Sequence, residues 1–371
     1  MPAYDAFLLV SFGGPEGPDD VIPFLQNVTR GRGVPPERLA SVAEHYYAVG
    51  GVSPINQQGR DLLAAISAAF PASGLSLPVY WGNRNWTPYL TDTVRAMARD
   101  GVRRAVALVT SAYSSNSSCR QYLEDIERAR AEVGPDAPRI DKIRRFFNHP
   151  GFIEPFAAST GAALATLPAD LRDDAHLVFT AHSIPVAMAE ASGPGGTNRY
   201  VAELTEAAGL VAERVGGGTH PWTLAYQSRS GPPSQPWLGP DIRDHLGELS
   251  KSGVKAVVVV PVGFVSDHME VRHDLDVEAA ETADSLRLAF ARAATPGSHP
   301  AFVSMITDLV RERLALPDDT APDDTAPDNP GPDNPGPDST VLDYPALGGL
   351  GMPSHDCPAD CCRYVGGASQ A

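Results

Sequence analysis

Cationic side chains are scarce in this chain: 29 Lys and Arg stand against 45 Asp and Glu, a formal net charge of −16 over 371 residues. That excludes the basic surface on which non-specific DNA or RNA binding depends. Much of the excess is local, because Asp318, Asp319, Asp323, Asp324, Asp328, Asp333, Asp338 and Asp343 share one stretch without a Lys or Arg. Long apolar runs are absent as well, and none approaches the roughly 18–20 residues of a membrane-spanning helix. The start, Met1-Pro2-Ala3-Tyr4-Asp5, has no basic segment ahead of its short apolar run, so no secretory signal is expected and the chain reads as cytoplasmic. Cysteine is rare, with Cys119, Cys357, Cys361 and Cys362 alone. In a reducing compartment four such residues favour free or metal-bound thiols over a disulfide framework.

What is present is enough apolar material, 43% of residues, for one large core or two ordinary ones. Short β-branched runs at 7–11, 78–81, 105–110, 176–180, 222–226, 256–261 and 286–289 alternate with segments of helical period at 59–70, 90–99, 120–132, 152–166, 200–215, 241–252 and 299–316. The strand runs are nearly continuous in apolar residues, as parallel strands covered on both faces require. The reading is therefore α/β, with two similar open-sheet domains over 1–150 and 151–316 and ligands expected beyond the carboxyl ends of the strands. Residues 317–345 repeat Pro, Asp, Thr, Ala, Asn and Gly with almost nothing to bury, which predicts an extended, flexible linker. Beyond it, 346–371 holds three of the four cysteines and is expected to pack on the N-terminal domain.

Three places carry chemistry. In Phe179-Thr180-Ala181-His182-Ser183-Ile184-Pro185 a strand runs straight into a histidine. A side chain there faces the crevice, and imidazole exchanges protons near neutral pH; a structural or merely exposed histidine is the competing reading. Next, the run 257–260 leads through Pro261-Val262-Gly263-Phe264-Val265-Ser266-Asp267-His268-Met269-Glu270 into a helical pattern, with Ser266 or Asp267 as the expected N-cap. Glu270, Asp274 and Glu278 then fall on one helical face. Like charges at this spacing repel, so the row costs stability unless a cation neutralises it; a solvated acidic face is the alternative. Third, Ser11-Phe12-Gly13-Gly14-Pro15 permits a tight turn after the first strand, but it is not a dinucleotide fingerprint.

Taken together these segments resemble the ferrochelatase family. The 179–185 segment looks like its S-A-H-S-[LI]-P signature, and 261–270 looks like its P-[VI]-[GA]-F-x-[SA]-D-H-x-E segment. Tyr226-Gln227-Ser228-Arg229 with Gly231 and Pro236-Trp237-Leu238-Gly239-Pro240 resembles its Q-S-x-x-G…P-W-L-x-P. Arg30-Gly31-Arg32 and Gly50-Gly51-Val52-Ser53-Pro54-Ile55 match its porphyrin-side loops, and the whole likeness spans 1–315 in order. It implies a chelatase-type fold, two Rossmann-like lobes with a porphyrin cleft between them, acting as a monomer on Fe²⁺ and a porphyrin. By resemblance His182 and Glu270 are the catalytic, metal-handling pair, with Asp274 and Glu278 extending a metal or proton path and His268 and Asp267 orienting the pair. Arg30, Ser53 and Tyr122 sit at porphyrin contacts, with Arg84 a further propionate donor. Phe12 replaces a Tyr that in several Gram-positive relatives touches the product iron, and Phe cannot ligate. Trp237 is either a core anchor or a pocket wall.

The Gly-Gly-Pro start and the cysteine tail resemble actinobacterial members, which act on coproporphyrin III. Competing readings are a protoporphyrin IX chelatase, a non-catalytic haem-binding redox sensor, and a Co²⁺ or Ni²⁺ chelatase for another tetrapyrrole. One internal cysteine plus three near the end resembles the [2Fe–2S] site of some ferrochelatases, although four thiolates satisfy Zn²⁺ equally well. His45, His149, His176, His220, His245 and His299 read as surface or packing residues, while His273 and His355 are undecided.

Overall fold

The computed structural model describes residues 4–31, 33–232, 234–316 and 345–364. The repeat at 317–344, Arg32 and the end of the tail beyond 364 lie outside them. Buried β-branched and aliphatic runs form two four-stranded, all-parallel sheets. The first comprises β1 (Ala6–Ser11), β2 (Val79–Asn83), β3 (Arg104–Val109) and β4 (Arg139–Lys142), in the order β2-β1-β3-β4. The second comprises β5 (His176–His182), β6 (Trp222–Gln227), β7 (Ala256–Val260) and β8 (Ala289–Arg292), in the order β6-β5-β7-β8. The two orders are the same four-strand pattern used twice. In each, the strand order reverses beside the first strand of the set, which opens a crevice at the carboxyl ends.

The duplication extends to the helices that follow the outer strands. Pro150–Thr166 and Pro300–Ala315 each open with Pro in the first turn and a histidine N-cap, His149 and His299, whose Nδ1 accepts the amide N–H two residues on. These helices pack on each other, with Gly151 against the carbonyl of Ala301. One apolar cluster consequently runs through both halves, from Phe7, Phe70 and Phe152 to Phe179, Val260 and Phe302. A bidentate ion pair crosses it: Arg144 Nε and Nη2 donate to Glu312 at 2.6 and 2.9 Å, with both side chains almost fully buried.

Several sequence expectations shift. The last strand lies at 289–292 and not 286–289, because Arg287 takes a left-handed turn (φ 58°) first. β4 is an additional edge strand whose sequence, Arg-Ile-Asp-Lys, gives no apolar run. Two further helices, Pro18–Val28 and Pro36–Tyr47, sit over the first crevice. No helix of the described residues is long and apolar enough to cross a membrane.

The 346–364 segment touches both halves. Asn116 and Arg120 donate to the carbonyls of Cys362, Ala359 and Cys361, and Asn148 to those of Leu347 and Gly351. From the second half, Glu206 accepts from the N–H groups of Gly349 and Leu350, both at 2.8 Å.

One close approach sets the second crevice. Past the end of β7 the chain folds over β5, where Gly263 N–H donates to the Thr180 carbonyl at 3.0 Å. A Cβ at Gly263 would stand 2.7 Å from the Ala181 Cα. Gly263→Ala is therefore expected to destabilise the fold by about 1–3 kcal/mol through overpacking; an unchanged urea midpoint would refute the contact. Glu312→Ala, which strands a buried guanidinium, should cost about 3–5 kcal/mol in the same measurement.

Candidate active site and thiol cluster

Two strand exits meet at the second crevice. β5 delivers His182 from its last position, and the 261–268 turn after β7 delivers Glu270. Their side chains face each other with Nε2 and Oε2 3.5 Å apart, and both are accessible to solvent. The His182 Nδ1 lies 2.5 Å from the Ser183 carbonyl oxygen. A carbonyl only accepts, so Nδ1 carries a proton and Nε2 is the nitrogen that faces the carboxylate.

The N-cap of the following helix is His268, not Ser266 or Asp267: its Nδ1 accepts from Glu270 N–H at 3.2 Å. Burial lowers the His268 pKa, so it serves as a neutral acceptor. Asp267 is occupied elsewhere, held by Arg292 at 3.0 Å and by the Thr295 hydroxyl at 3.1 Å. It braces the turn and does not touch the His–Glu pair.

The helix over 269–285 is π-wound through Arg272–Ala279. Its wider coil departs from the α-helical spacing expected of Glu270, Asp274 and Glu278. It brings His273 into the row, so that His273, Asp274 and Glu278 offer ligand atoms within 4.8 Å of one another. Asp274 accepts from the Ser228 hydroxyl and lies 3.5 Å from His273 Nδ1. Burial, with Glu270 and Glu278 adding repulsion, pushes its pKa up to about 6. Glu278, at the outer end, meets Arg243 at 3.4 Å.

Two neighbours on Pro36–Tyr47 gave no signal in the sequence. The His45 ring stacks on His273 with centroids 4.0 Å apart and planes 9° from parallel, so His45 belongs to the site and not to the plain surface. Tyr46 is kept protonated by burial and by the negative charges of Glu270 and Asp274. From Tyr46 an aromatic wall runs through Phe24 to Phe12 and Trp86, with ring centroids 6.1–6.4 Å apart.

The residues expected to meet a porphyrin separate into two groups. Arg30 is exposed, just past the Pro18–Val28 helix, and Phe12 is half-buried in the aromatic wall. Ser53 is buried, with its N–H on the Pro15 carbonyl and its side chain against Gly14. Arg84 is not a free donor: its guanidinium pairs with Asp125, donates to Gln121 at 3.1 Å and lies 4.6 Å over the ring of the buried Tyr122. Trp237 packs on Gly231 and pairs through its backbone with Pro185, bracing the loop after His182.

The C-terminal segment brings Cys357, Cys361 and Cys362 to the region of Cys119, but among the described residues no three of these sulfurs lie within 4.8 Å of one another. Cys357 accepts hydrogen bonds from the thiols of Cys119 and Cys361, which hold it well below the usual thiol range. Cys361 and Cys362 sulfurs are 3.6 Å apart, and all four are free thiols. The left-handed backbone of Cys362 (φ 56°) turns adjacent cysteines inward together. Arg145 Nη1 lies 3.6 Å from Cys357 Sγ, Gly193 N–H donates to Cys362 Sγ at 3.2 Å, and Lys142 adds positive charge. Cations beside Cys357 and an amide donor on Cys362 favour thiolates at those two positions.

A profile of the ferrochelatase family matches residues 4–314. The chain is 52% identical to a protein named coproporphyrin III ferrochelatase from Streptomyces griseus subsp. griseus, over 97% of this chain and 93% of that protein. It is 57% identical to one of the same name from Nocardia farcinica, over 84% of this chain and 89% of that protein. Among solved structures, SirB from Bacillus subtilis with Fe³⁺ superposes with a TM-score of 0.52 at 14% identity, covering 84% of this chain and 96% of that one, a likeness of fold.

Asp274 also yields a pH signature. Its folded pKa of about 6 lies above the ordinary 3.8. The folded state is therefore penalised above pH 6, and the penalty is relieved as pH falls toward the unfolded value. In metal-free protein Asp274→Asn should raise the melting temperature at pH 7.5, with the gain shrinking toward pH 4. A gain that does not vary with pH would contradict the assignment.

Proposed function

This chain belongs to the ferrochelatase family, and we propose that it inserts Fe²⁺ into coproporphyrin III to give Fe-coproporphyrin III. The observation that carries the reading is the His182 Nε2 to Glu270 carboxylate distance of 3.5 Å. Two donors each about 2.1 Å from one cation, at a near-tetrahedral angle, stand about 3.4 Å apart. The pair therefore suits one metal ion presented to a ring beside it. Relatives named for coproporphyrin III, matching over most of this chain, support the choice of porphyrin over protoporphyrin IX.

Insertion exchanges two pyrrole protons for the metal. Glu270 is the nearest carboxylate, and Asp274, with its pKa raised to about 6, accepts and releases a proton close to neutrality. Glu278, opposite Arg243, ends the row toward solvent. Phe12, Tyr46 and Trp86, packed around the buried Phe24, offer apolar contact for a macrocycle. Arg30 is exposed and suited to a propionate, while Arg84 and Tyr122 stiffen the loop behind the wall.

Cys119, Cys357, Cys361 and Cys362 are proposed as the ligands of a [2Fe–2S] cluster, on the strength of their number and of the cations beside Cys357, with a structural role in tying the tail to both halves. Four free cysteines agree with a reducing cytoplasm.

Anaerobic mixing with Fe²⁺ and coproporphyrin III is expected to shift the Soret band to that of the metallated ring, more slowly with protoporphyrin IX. His182→Ala and Glu270→Gln should each lower the rate at least about a hundredfold. No turnover with either porphyrin would end the reading. Iron and acid-labile sulfide, measured on anaerobically purified protein, should be present in equal amounts and lost in Cys119→Ser; zinc without sulfide would replace the cluster assignment.

A further inference from the structure

We propose that Tyr200 is a positioning residue for His182 and that it carries the state of the C-terminal thiols to the imidazole. The catalytic consequence rests on the chelatase reading above; the physical linkage stands on geometry alone. Tyr200 opens the helix Arg199–Arg214 and is buried. Its hydroxyl donates to the backbone carbonyl of His182 at 2.8 Å. The next carbonyl, that of Ser183, holds the ring through Nδ1. The orientation of the imidazole is thus set by two successive peptide groups, and the first is held on its carbonyl side by Tyr200 and on its N–H side by the Gln227 carbonyl at 2.7 Å.

At its other end Tyr200 leads to the cysteines in three steps. Its N–H donates to Ser192 Oγ at 2.8 Å, and Ser192 is fully buried. Ser192 is followed by Gly193, which adopts a left-handed conformation (φ 84°) beneath the Arg199 side chain. Gly193 N–H then donates to Cys362 Sγ at 3.2 Å, and its carbonyl accepts from Cys362 N–H at 3.5 Å. A ligated thiolate, a free thiol and an oxidised sulfur are acceptors of different strength and size. A change at Cys362 must therefore act on the Gly193 peptide, and through Ser192 on the helix start that bears Tyr200.

The packing leaves Tyr200 little room to absorb such a change. The Tyr113 ring meets it edge-on, with centroids 6.4 Å apart, and the Tyr113 hydroxyl donates to the Val262 carbonyl at 2.8 Å. Val262 lies on the turn that leads to Glu270. The two tyrosines therefore fasten the two strand exits that supply the reacting pair, and the Tyr200 arm continues through Ser192 and Gly193 to the Cys362 sulfur.

The test reads the ring directly, using full-length protein labelled at histidine ¹³Cε1, with the His182 signal identified by its loss in His182→Ala. Tyr200→Phe keeps the ring and removes one hydrogen bond. It should shift the His182 signal and lower kcat about tenfold through misorientation, with KM for the porphyrin changed less than about twofold. Cys362→Ala and Ser192→Ala should each shift the same signal when Tyr200 is present, and neither should do so in Tyr200→Phe. A His182 signal unmoved by Tyr200→Phe, or cysteine and serine effects that persist at full size without the hydroxyl, would overturn the proposal. Ser192→Ala leaves every thiol in place, so it carries the test if Cys362→Ala does not fold. Loss of turnover in the unaltered protein would count against the chelatase reading alone, because the imidazole signal needs no turnover.

Discussion

The register between β5 and β7 decides where the reacting groups stand. Phe179 pairs with Val260, so β5 continues three residues past the end of its neighbour, and the third is His182. The chain leaving β7 must cross over that extension to bring Glu270 opposite the imidazole, and only a residue without a Cβ passes the Ala181 backbone at the required distance. A slip of one residue in this pairing would turn His182 to the other face of the sheet. The buried Val-rich strands therefore do more than fill a core: their apolar pattern is what holds the register, and the register is what spaces the imidazole and the carboxylate.

Around that register the molecule buries an unusual amount of charge between its halves. Arg144 meets Glu312, and Arg145 meets Glu203, which also accepts from the N–H and hydroxyl of Ser114. Breaking either pair would leave an uncompensated ion in a low-dielectric seam. Such pairs are weak sources of net stability but strong constraints on geometry, because few arrangements satisfy both partners. Arg145 also faces Cys357. The seam that aligns the halves and the thiols that anchor the tail are accordingly parts of one polar network, and the loop from Tyr113 to Cys119 belongs to both.

The sequence was legible where local pattern and burial agree. Continuous apolar runs marked the central strands within a residue or two, since those strands are covered on both faces. His182 stood out because a buried run stops at it and Glu270 because it opens a row of acids at helical spacing, while their pairing came from the resemblance to the family's motifs. What pattern could not reveal depends on partners distant in the chain. β4 is a charged edge strand, so its sequence resembles a loop. His45 and Tyr46 lie on a helix with a short apolar face, and nothing in their neighbourhood announces His273, 228 residues further on. Arg84 looked available until Asp125 was found beside it. The π-winding of Arg272–Ala279 is equally hidden, because local propensity does not distinguish an i+5 from an i+4 ladder. Tyr200, an aromatic residue at a helix start, reads from sequence as ordinary core.

The same geometry bears on how the two residues divide the proposed work. With Nδ1 committed to a carbonyl, His182 has one lone pair to give, at Nε2. If that lone pair took up a pyrrole proton, the imidazolium would hand it to the Glu270 carboxylate 3.5 Å away, and the proton would then need a route onward. Glu270 has such a route: behind it lies Asp274, poised near pH 6, and beyond that Glu278 with solvent and Arg243. A proton leaving the ring therefore travels most easily along the carboxylates, one acid to the next. In the proposed reaction the imidazole, fixed through Nδ1, is then suited to hold the iron through Nε2. The π-helical row then makes sense as one device: burial, with repulsion from the neighbouring acids, raises the proton affinity of the middle member, and in the proposed reaction a departing proton uses that affinity as a step.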